Sequence, residues 1–348
     1  VEIVYQYGLF LAKTVTIVAA IAVIIMLMVN ARQRKAGQQG ELQLTDLSEQ
    51  YETMQENMQL ARMDETERKV WQKEQKKKDK AEAKLKKHQA KTGERVARKP
   101  CLFVLNFKGS IDAREVSALR EEITAVLAVA KSEDQVLLKL ESPGGVVHGY
   151  GLAASQLMRI HNKGIKLTVT VDKVAASGGY MMACVADRIV AAPFAILGSI
   201  GVVAQVPNIH RLLKKNDIDV ELHTAGEFKR TLTVLGENTE QGREKFREEL
   251  NETHQLFKTF VHQNRPALDV DAVATGEHWF GIQAKEKGLV DDISTSDDVL
   301  LAELEKFELI GVQYIQRKKM IERFSAGAAD GLDKVMLRWW QRGQKPLL

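Results

Sequence analysis

The sequence predicts a mixed α/β domain held behind an N-terminal membrane anchor by a charged helical linker. Three observations carry this. Beyond Pro100, apolar strand-like runs alternate with helical ones; residues 9–29 are almost wholly apolar; and residues 41–99 are rich in Glu, Gln, Lys, Ala and Met, with no proline and no glycine before Gly93. The 348 residues suffice for one large or two medium domains with a real core.

The anchor comes first. LFLAKTVTIVAAIAVIIMLMV, residues 9–29, is interrupted only by Lys13 and two threonines. At about 1.5 Å per residue this run spans a hydrocarbon layer of about 30 Å, and Lys13 near its outer end can snorkel. Residues 1–30 are therefore expected to be an uncleaved anchor. A cleaved signal peptide is the alternative, with Val29-Asn30-Ala31 as its small-residue site; a basic leading region is missing, however. Arg32, Arg34 and Lys35 follow the span, and Glu2 alone is charged before Lys13. The charge bias puts the bulk of the chain in the cytoplasm, or outside if the peptide is removed.

The linker, residues 31–99, is expected to be helical. Leu44, Leu47, Tyr51, Met54 and Met58 step by three and four, a short coiled-coil seam. The net charge of +4 conceals an uneven distribution: residues 73–99 hold twelve Lys/Arg against four Asp/Glu, and the rest of the chain is acidic. That basic stretch has almost no apolar stripe and reads as a solvated helix or tether, with anionic lipid headgroups as its functional alternative. No interleaved aromatics support nucleic-acid binding.

Pro100 opens the domain, expected over 100–305. CLFVLNF, QVLLKLES, KLTVTVD and RIVAAP read as strands; AREVSALREEITAVLAVA, GYGLAASQLMRIHNK and GGYMMACVA read as helices. Alternation of this kind makes a parallel sheet with right-handed crossovers. Residues 189–206 are apolar enough to suggest a second span, but Pro193, Gly198 and Gly201 interrupt them, and two short buried strands with a turn are expected instead. Helical text resumes through REKFREELNETHQLFKTFVHQN. The basic tail, 306–348, carries Trp339 and Trp340 among Lys and Arg, as an interfacial amphipathic helix or a subunit-docking helix would. Only Cys101 and Cys184 occur, expected as buried free thiols, and no zinc-type Cys/His spacing is present.

Two glycine-rich stretches could carry chemistry. In VDKVAASGGYMMACVAD, Ser177 follows a strand and opens a helix among alanines and glycines, so that a second molecule can approach its hydroxyl and the Gly178 and Gly179 N–H groups. An N-cap serine is the structural alternative. The pattern is not the G-x-S-x-G elbow. In ESPGGVVHG, residues 141–149, the glycine pair exposes N–H groups at a strand end, suiting an oxyanion hole or an edge for an extended peptide; an ordinary tight turn is the alternative. GYGLAA, 149–154, mimics a dinucleotide fingerprint, but its first glycine stands eight positions beyond Glu141, where the strand ends. For a base, His148, His223 and Lys229 are candidates. A lysine serves only when neutral, which burial beside apolar groups achieves. Spacing does not choose among them.

SPGG, VDKVAASGGYMMA, GSIGV and GEFKR, in this order and spacing, resemble the signal peptide peptidase A type of bacterial Ser–Lys membrane peptidase, and the resemblance runs along essentially the whole chain. It implies a ClpP/crotonase-like fold of stacked ββα units in the α/β class. Ser177 is then the nucleophile, Lys229 the general base, and Ser199 the hydroxyl that orients the lysine. Gly144 and Gly178 supply the oxyanion amides, and Gly145 and Val146 line an extended peptide substrate. The resemblance also implies self-assembly around an enclosed cavity, the bacterial inner membrane as location, and no metal or cofactor. Relatives that clear signal peptides act outside the membrane, whereas the charge asymmetry here favours the cytoplasmic side. Two other classes compete: a crotonase-like acyl-thioester enzyme needing no serine nucleophile, and a membrane scaffold working through the seam and tether.

Overall fold

The computed structural model describes residues 13–16, 18, 40–92 and 99–315. Most of the expected anchor and the basic tail beyond Ile315 lie outside them, although Lys13–Thr16 and Val18 are helical. Among the described residues no helix is long and apolar enough to cross a membrane. The chain divides into two units: Leu44–Gln313, which holds the sheet, and the two ends, Val1–Gln43 with Tyr314–Leu348. Within the second, the Gly40 N–H donates to Tyr314 Oη at 2.6 Å.

The core is a seven-stranded sheet in the order β1 (Glu41–Asp46), β10 (Glu308–Ile315), β2 (Cys101–Lys108), β3 (Gln135–Glu141), β4 (Lys166–Val171), β6 (Arg188–Ala191), β9 (Asp292–Ile293). From β10 to β9 every pairing is parallel. A parallel sheet is covered on both faces, so its central strands are continuous apolar runs. LFVLNF and VLLKL are such runs. Leu105, Leu138, Val169 and Ile189 stand side by side across four strands, all fully buried. One face packs on α3 (Val116–Val129) and α4 (Val147–Asn162) through residues such as Leu119, Ile123, Leu157 and Ile160. The other packs on α10 (Ser296–Glu303) and on Leu47 and Tyr51 of α1 (Leu47–Arg62).

The linker expectation needs correction there. Residues 41–46 form a strand, not helix, and Asp46 then caps α1 by accepting the Glu49 N–H. Leu47 and Tyr51 face the sheet while Leu44, Met54 and Met58 are exposed, so part of the expected seam serves the domain instead of a coiled coil. The boundary at Pro100 therefore does not detach α1, and the C-terminal boundary at 305 cuts off β10, which pairs with β2. Asp64 accepts from the Thr66 and Glu67 N–H groups and starts α2 (Glu65–Thr92). The fingerprint-like GYGLAA lies inside α4. Cys184 is buried and its thiol is pushed up to about 12 by that burial; Cys101 is half-buried, and neither is in a disulfide.

A second sheet of three short strands sits beside the first: β5 (Val174–Ala176), β7 (Ile196–Gly198) and β8 (His278–Phe280). Parallel β5–β7 and antiparallel β7–β8 pairing align Ala176, Gly198 and His278 in one row. The region 189–206 thus supplies β6 and β7 as expected, but Val203 beyond them is 91% exposed rather than buried. After β7 come α6 (His210–Lys215), α7 (Glu240–Asn264), α8 (Val270–Val273) and α9 (Gly281–Glu286).

Arg265, at the end of α7, holds Asp291 through two hydrogen bonds of 3.0 and 2.6 Å, and Asp291 also accepts the Ile189 N–H. Burial raises the Asp291 pKa, but these donors outweigh it and the net shift is downward. A carboxylate lowered in the folded state adds stability above its unfolded pKa, which is lost as pH falls through the folded value. The stability gap between wild type and Asp291→Asn in urea unfolding is therefore expected to be full above about pH 4 and to narrow below it.

Candidate active site

The short sheet ends at Ser177. Its backbone has φ 52° and ψ −118°, which only glycine adopts without strain. The Ser177 N–H donates to the Gly198 carbonyl at 2.8 Å, and the Ser177 carbonyl accepts from Met181 at 3.0 Å, closing the first turn of α5 (Gly178–Ala183). The side chain makes no capping hydrogen bond, so the N-cap alternative fails: the half-buried hydroxyl is left for something else.

The glycines that follow are required by their neighbours. A Cβ on Gly178 would stand 2.4 Å from Cγ of the Tyr150 ring, and one on Gly179 would stand 2.5 Å from the Ser142 carbonyl oxygen. Bare backbone at these positions lets the turn sit against α4 and the ESPGG segment. That segment is locked in place in turn. The Ser142 N–H donates to Val174 and the Ser142 carbonyl accepts from Ala176, pairing Ser142 with β5 immediately before Ser177.

Gly144 comes closest to the serine. It has φ 89°, and a Cβ there would lie 2.8 Å from both the Ser177 Cβ and the Gly178 nitrogen. Ser177, Gly144 and Gly178 are thus brought together as the sequence suggests. The amides of the glycine pair are held differently, however. The Gly144 N–H donates to Ser142 Oγ at 3.1 Å and is not directed outward. The Gly145 N–H has no acceptor among the described residues, and Gly145 is exposed. The Val146 N–H donates to the Ile111 carbonyl at 2.8 Å, and its own carbonyl accepts from Gly149 and Tyr150. Val146 therefore has no backbone group left for a peptide, because α4 starts at the next residue.

Ser199 follows Gly198 and is held at φ 51°, its N–H donating to Glu277 at 2.6 Å. Lys229 is different. It lies on an exposed turn where its N–H donates to Gly226 at 3.2 Å, and Nζ has no hydrogen-bond or ion-pair partner among the described residues. Neighbouring Phe228 is half exposed beneath the Lys245 ammonium. His148 is exposed at the start of α4; His223 is exposed and bonded to Glu221 at 3.1 Å, a carboxylate that sequence reasoning does not assign to it. Sequence reasoning also misses His278, which the antiparallel β7–β8 register sets opposite Gly198, one residue before Ser199. No local motif marks it, since only strand pairing brings it there. Among the described residues no group of His, Cys, Asp and Glu is arranged to hold a metal ion.

A strained serine at a strand-to-helix turn, flanked by close-packed glycine backbone, leaves a hydroxyl without a capping role in this α/β protein. The chain belongs to peptidase family S49: residues 2–157 match the family's N-terminal region and residues 159–309 match Peptidase family S49 itself. It is 54% identical to the probable protease SohB of Haemophilus influenzae over 97% of this chain and 96% of that one. It is 52% identical to the probable protease SohB of Buchnera aphidicola from Acyrthosiphon pisum, over 96% of each chain. Protease 4 of Haemophilus influenzae matches more distantly, at 27% identity over 57% of this chain and 34% of that protein. The chain is a peptidase.

The packing at the serine turn is directly testable. In Gly179→Ala a backbone carbonyl must move, and a loss of about 1–3 kcal/mol in urea unfolding is expected. Gly151→Ala, inside α4 with nothing within 4 Å of the new methyl, is expected to gain about 0.5–1 kcal/mol.

Proposed function

We propose that the chain is a membrane-anchored serine endopeptidase using a Ser177–Lys229 dyad on small or unfolded peptides, signal-peptide remnants among them. The observation that carries this is the uncapped Ser177 hydroxyl on a strained turn packed against the Gly144 backbone. Neutral Lys229 takes the Ser177 Oγ proton as the oxygen attacks the peptide carbonyl. The tetrahedral oxyanion is held by the Gly178 and Gly145 N–H groups, each such donor typically lowering the barrier by about 3–4 kcal/mol. The charged lysine then protonates the leaving amine, and the acyl-enzyme forms. Water, activated by the same amine, releases it. Ser199 orients the amine. Gly145, whose N–H is free, bounds the substrate groove; Val146 does so by its side chain alone.

Lys229 has to be desolvated to act as a base at neutral pH. It stands on an arm, residues 201–239, whose Val203, Leu212, Ile218, Leu222 and Phe228 are exposed. Apolar surface of that extent is covered in a working protein. A homo-oligomer covers it, with the arm of one copy closing over the site of a neighbour and burying the amine. The finer fold is that of the ClpP/crotonase-like stacked units, with 1–30 as anchor and the tail as a second membrane or subunit contact at a bacterial inner membrane.

Ser177→Ala is expected to abolish cleavage of an unstructured peptide with the circular-dichroism spectrum intact; retained activity would sink the assignment. Lys229→Ala is expected to be inactive at pH 7, while His148→Ala, His223→Ala and His278→Ala stay active. An inactive histidine variant with native spectra would move the base to that residue. Leu212→Glu together with Leu222→Glu is expected to lower the sedimentation coefficient and activity in step. Full activity in a monomer would refute the closure by a neighbour.

A further inference from the structure

Behind the glycine pair lies a buried polar chain that the mechanism above does not use. Tyr150, on α4, is fully buried, and so is Ser142. The Tyr150 hydroxyl donates to the Ser110 carbonyl at 2.8 Å and lies 2.5 Å from Ser142 Oγ. Ser142 Oγ in turn accepts the Gly144 N–H. A tyrosine has one hydroxyl hydrogen, and Ser110 takes it. Ser142 is then the donor to Tyr150 Oη, and its lone pairs are free for Gly144. The direction of every bond follows: Gly144 N–H to Ser142, Ser142 O–H to Tyr150, Tyr150 O–H to the Ser110 carbonyl.

The same two residues touch the opposite side of the site. The Tyr150 ring fills the space a Cβ on Gly178 would need, and the Ser142 carbonyl fills that of Gly179. Gly109 is held to glycine by the chain as well, since a Cβ there would meet Tyr150 Oη at 2.4 Å and Ser142 Oγ at 2.8 Å. The Tyr150 phenol is kept neutral, because burial raises its pKa further than the Ser142 hydrogen bond lowers it.

We propose that Tyr150 is a positioning residue for the oxyanion site. Its hydroxyl, acting through Ser142, holds Gly144 in the turn that leaves the Gly145 N–H facing outward, while its ring sets the position of the Gly178 N–H. Tyr150 thus fixes the spacing between the two donors without touching substrate. A buried hydrogen-bonded chain can hold such a spacing because its members depend on one another. Removing one leaves an unsatisfied group behind, so the others shift.

The inference rests on Ser177 being the nucleophile, and the test separates the two. Tyr150→Phe keeps the ring and removes the hydroxyl; Ser142→Ala removes the link from the other side. Steady-state kinetics on a chromogenic peptide and inhibition by a peptide aldehyde, whose adduct mimics the tetrahedral intermediate, are measured on the full chain in detergent. Each variant is expected to lose roughly 10- to 100-fold in kcat, less than deletion of a donor costs, because the amide is displaced and not removed. KM is expected to stay within about twofold, and aldehyde affinity to fall by the same factor as kcat/KM. The double variant is expected to be no worse than the poorer single one, since both break one chain. Wild-type kcat in folded Tyr150→Phe, a change in KM and thermal midpoint with kcat unchanged, or loss of fold in both variants would each overturn it. If Ser177→Ala is inactive and Tyr150→Phe is not, the inference alone fails; if Ser177→Ala cleaves, the nucleophile assignment fails first.

Discussion

The site depends on the backbone of one residue being held where a side chain is unwelcome. Ser177 at φ 52° and ψ −118° costs of order 1–3 kcal/mol, and such a conformation persists only where the surroundings over-determine it. Here they do. The Ser177 N–H is tied to Gly198, its carbonyl to Met181, and the glycines behind it leave no slack against Tyr150 and Ser142. The Ser177 hydroxyl makes no hydrogen bond to the first N–H groups of α5, the groups an N-cap serine ordinarily satisfies.

Two layers of packing transmit that constraint. The first is the parallel sheet, whose rows of Leu and Val fix the strand ends from which Ser142 and Ala176 emerge. The second is the small β5–β7–β8 sheet, which sets Gly198 and Ser199 next to Ser177 and brings His278 alongside. Buried polar groups join the layers, so the glycine loop is held by directional bonds and not by apolar contact alone. By contrast, Lys229 sits on an exposed stretch, amid exposed leucine, isoleucine and valine. Under the proposed function the reaction is divided between a firmly held Ser177 and an open Lys229 that a partner copy encloses.

Much of the fold can be read directly. LFVLNF and VLLKL announce strands because both faces of a parallel sheet are covered. The start of a helix at Ser177 is visible from the change of texture. ELQLTD is not legible as a strand, because its pairing partner lies more than 260 residues away at β10 and its composition suits a helix. The inward hydrogen bond of the Gly144 N–H is not legible for a related reason. Two adjacent glycines are equivalent in a sequence, and only the buried hydroxyl of Ser142 distinguishes them.

The sequence by itself determined which groups are available: a serine in a setting without bulk, a glycine pair at a strand end, a lysine beside a phenylalanine, and a family membership that makes the chain a peptidase. It could do so because residue type and local periodicity are properties of short segments. The tertiary structure alone decided the Ser177 dihedrals, the inward direction of the Gly144 N–H, and the enlistment of α1 by the far face of the sheet. Each of those is settled by atoms distant along the chain, through steric exclusion and hydrogen-bond direction, and no local pattern encodes them.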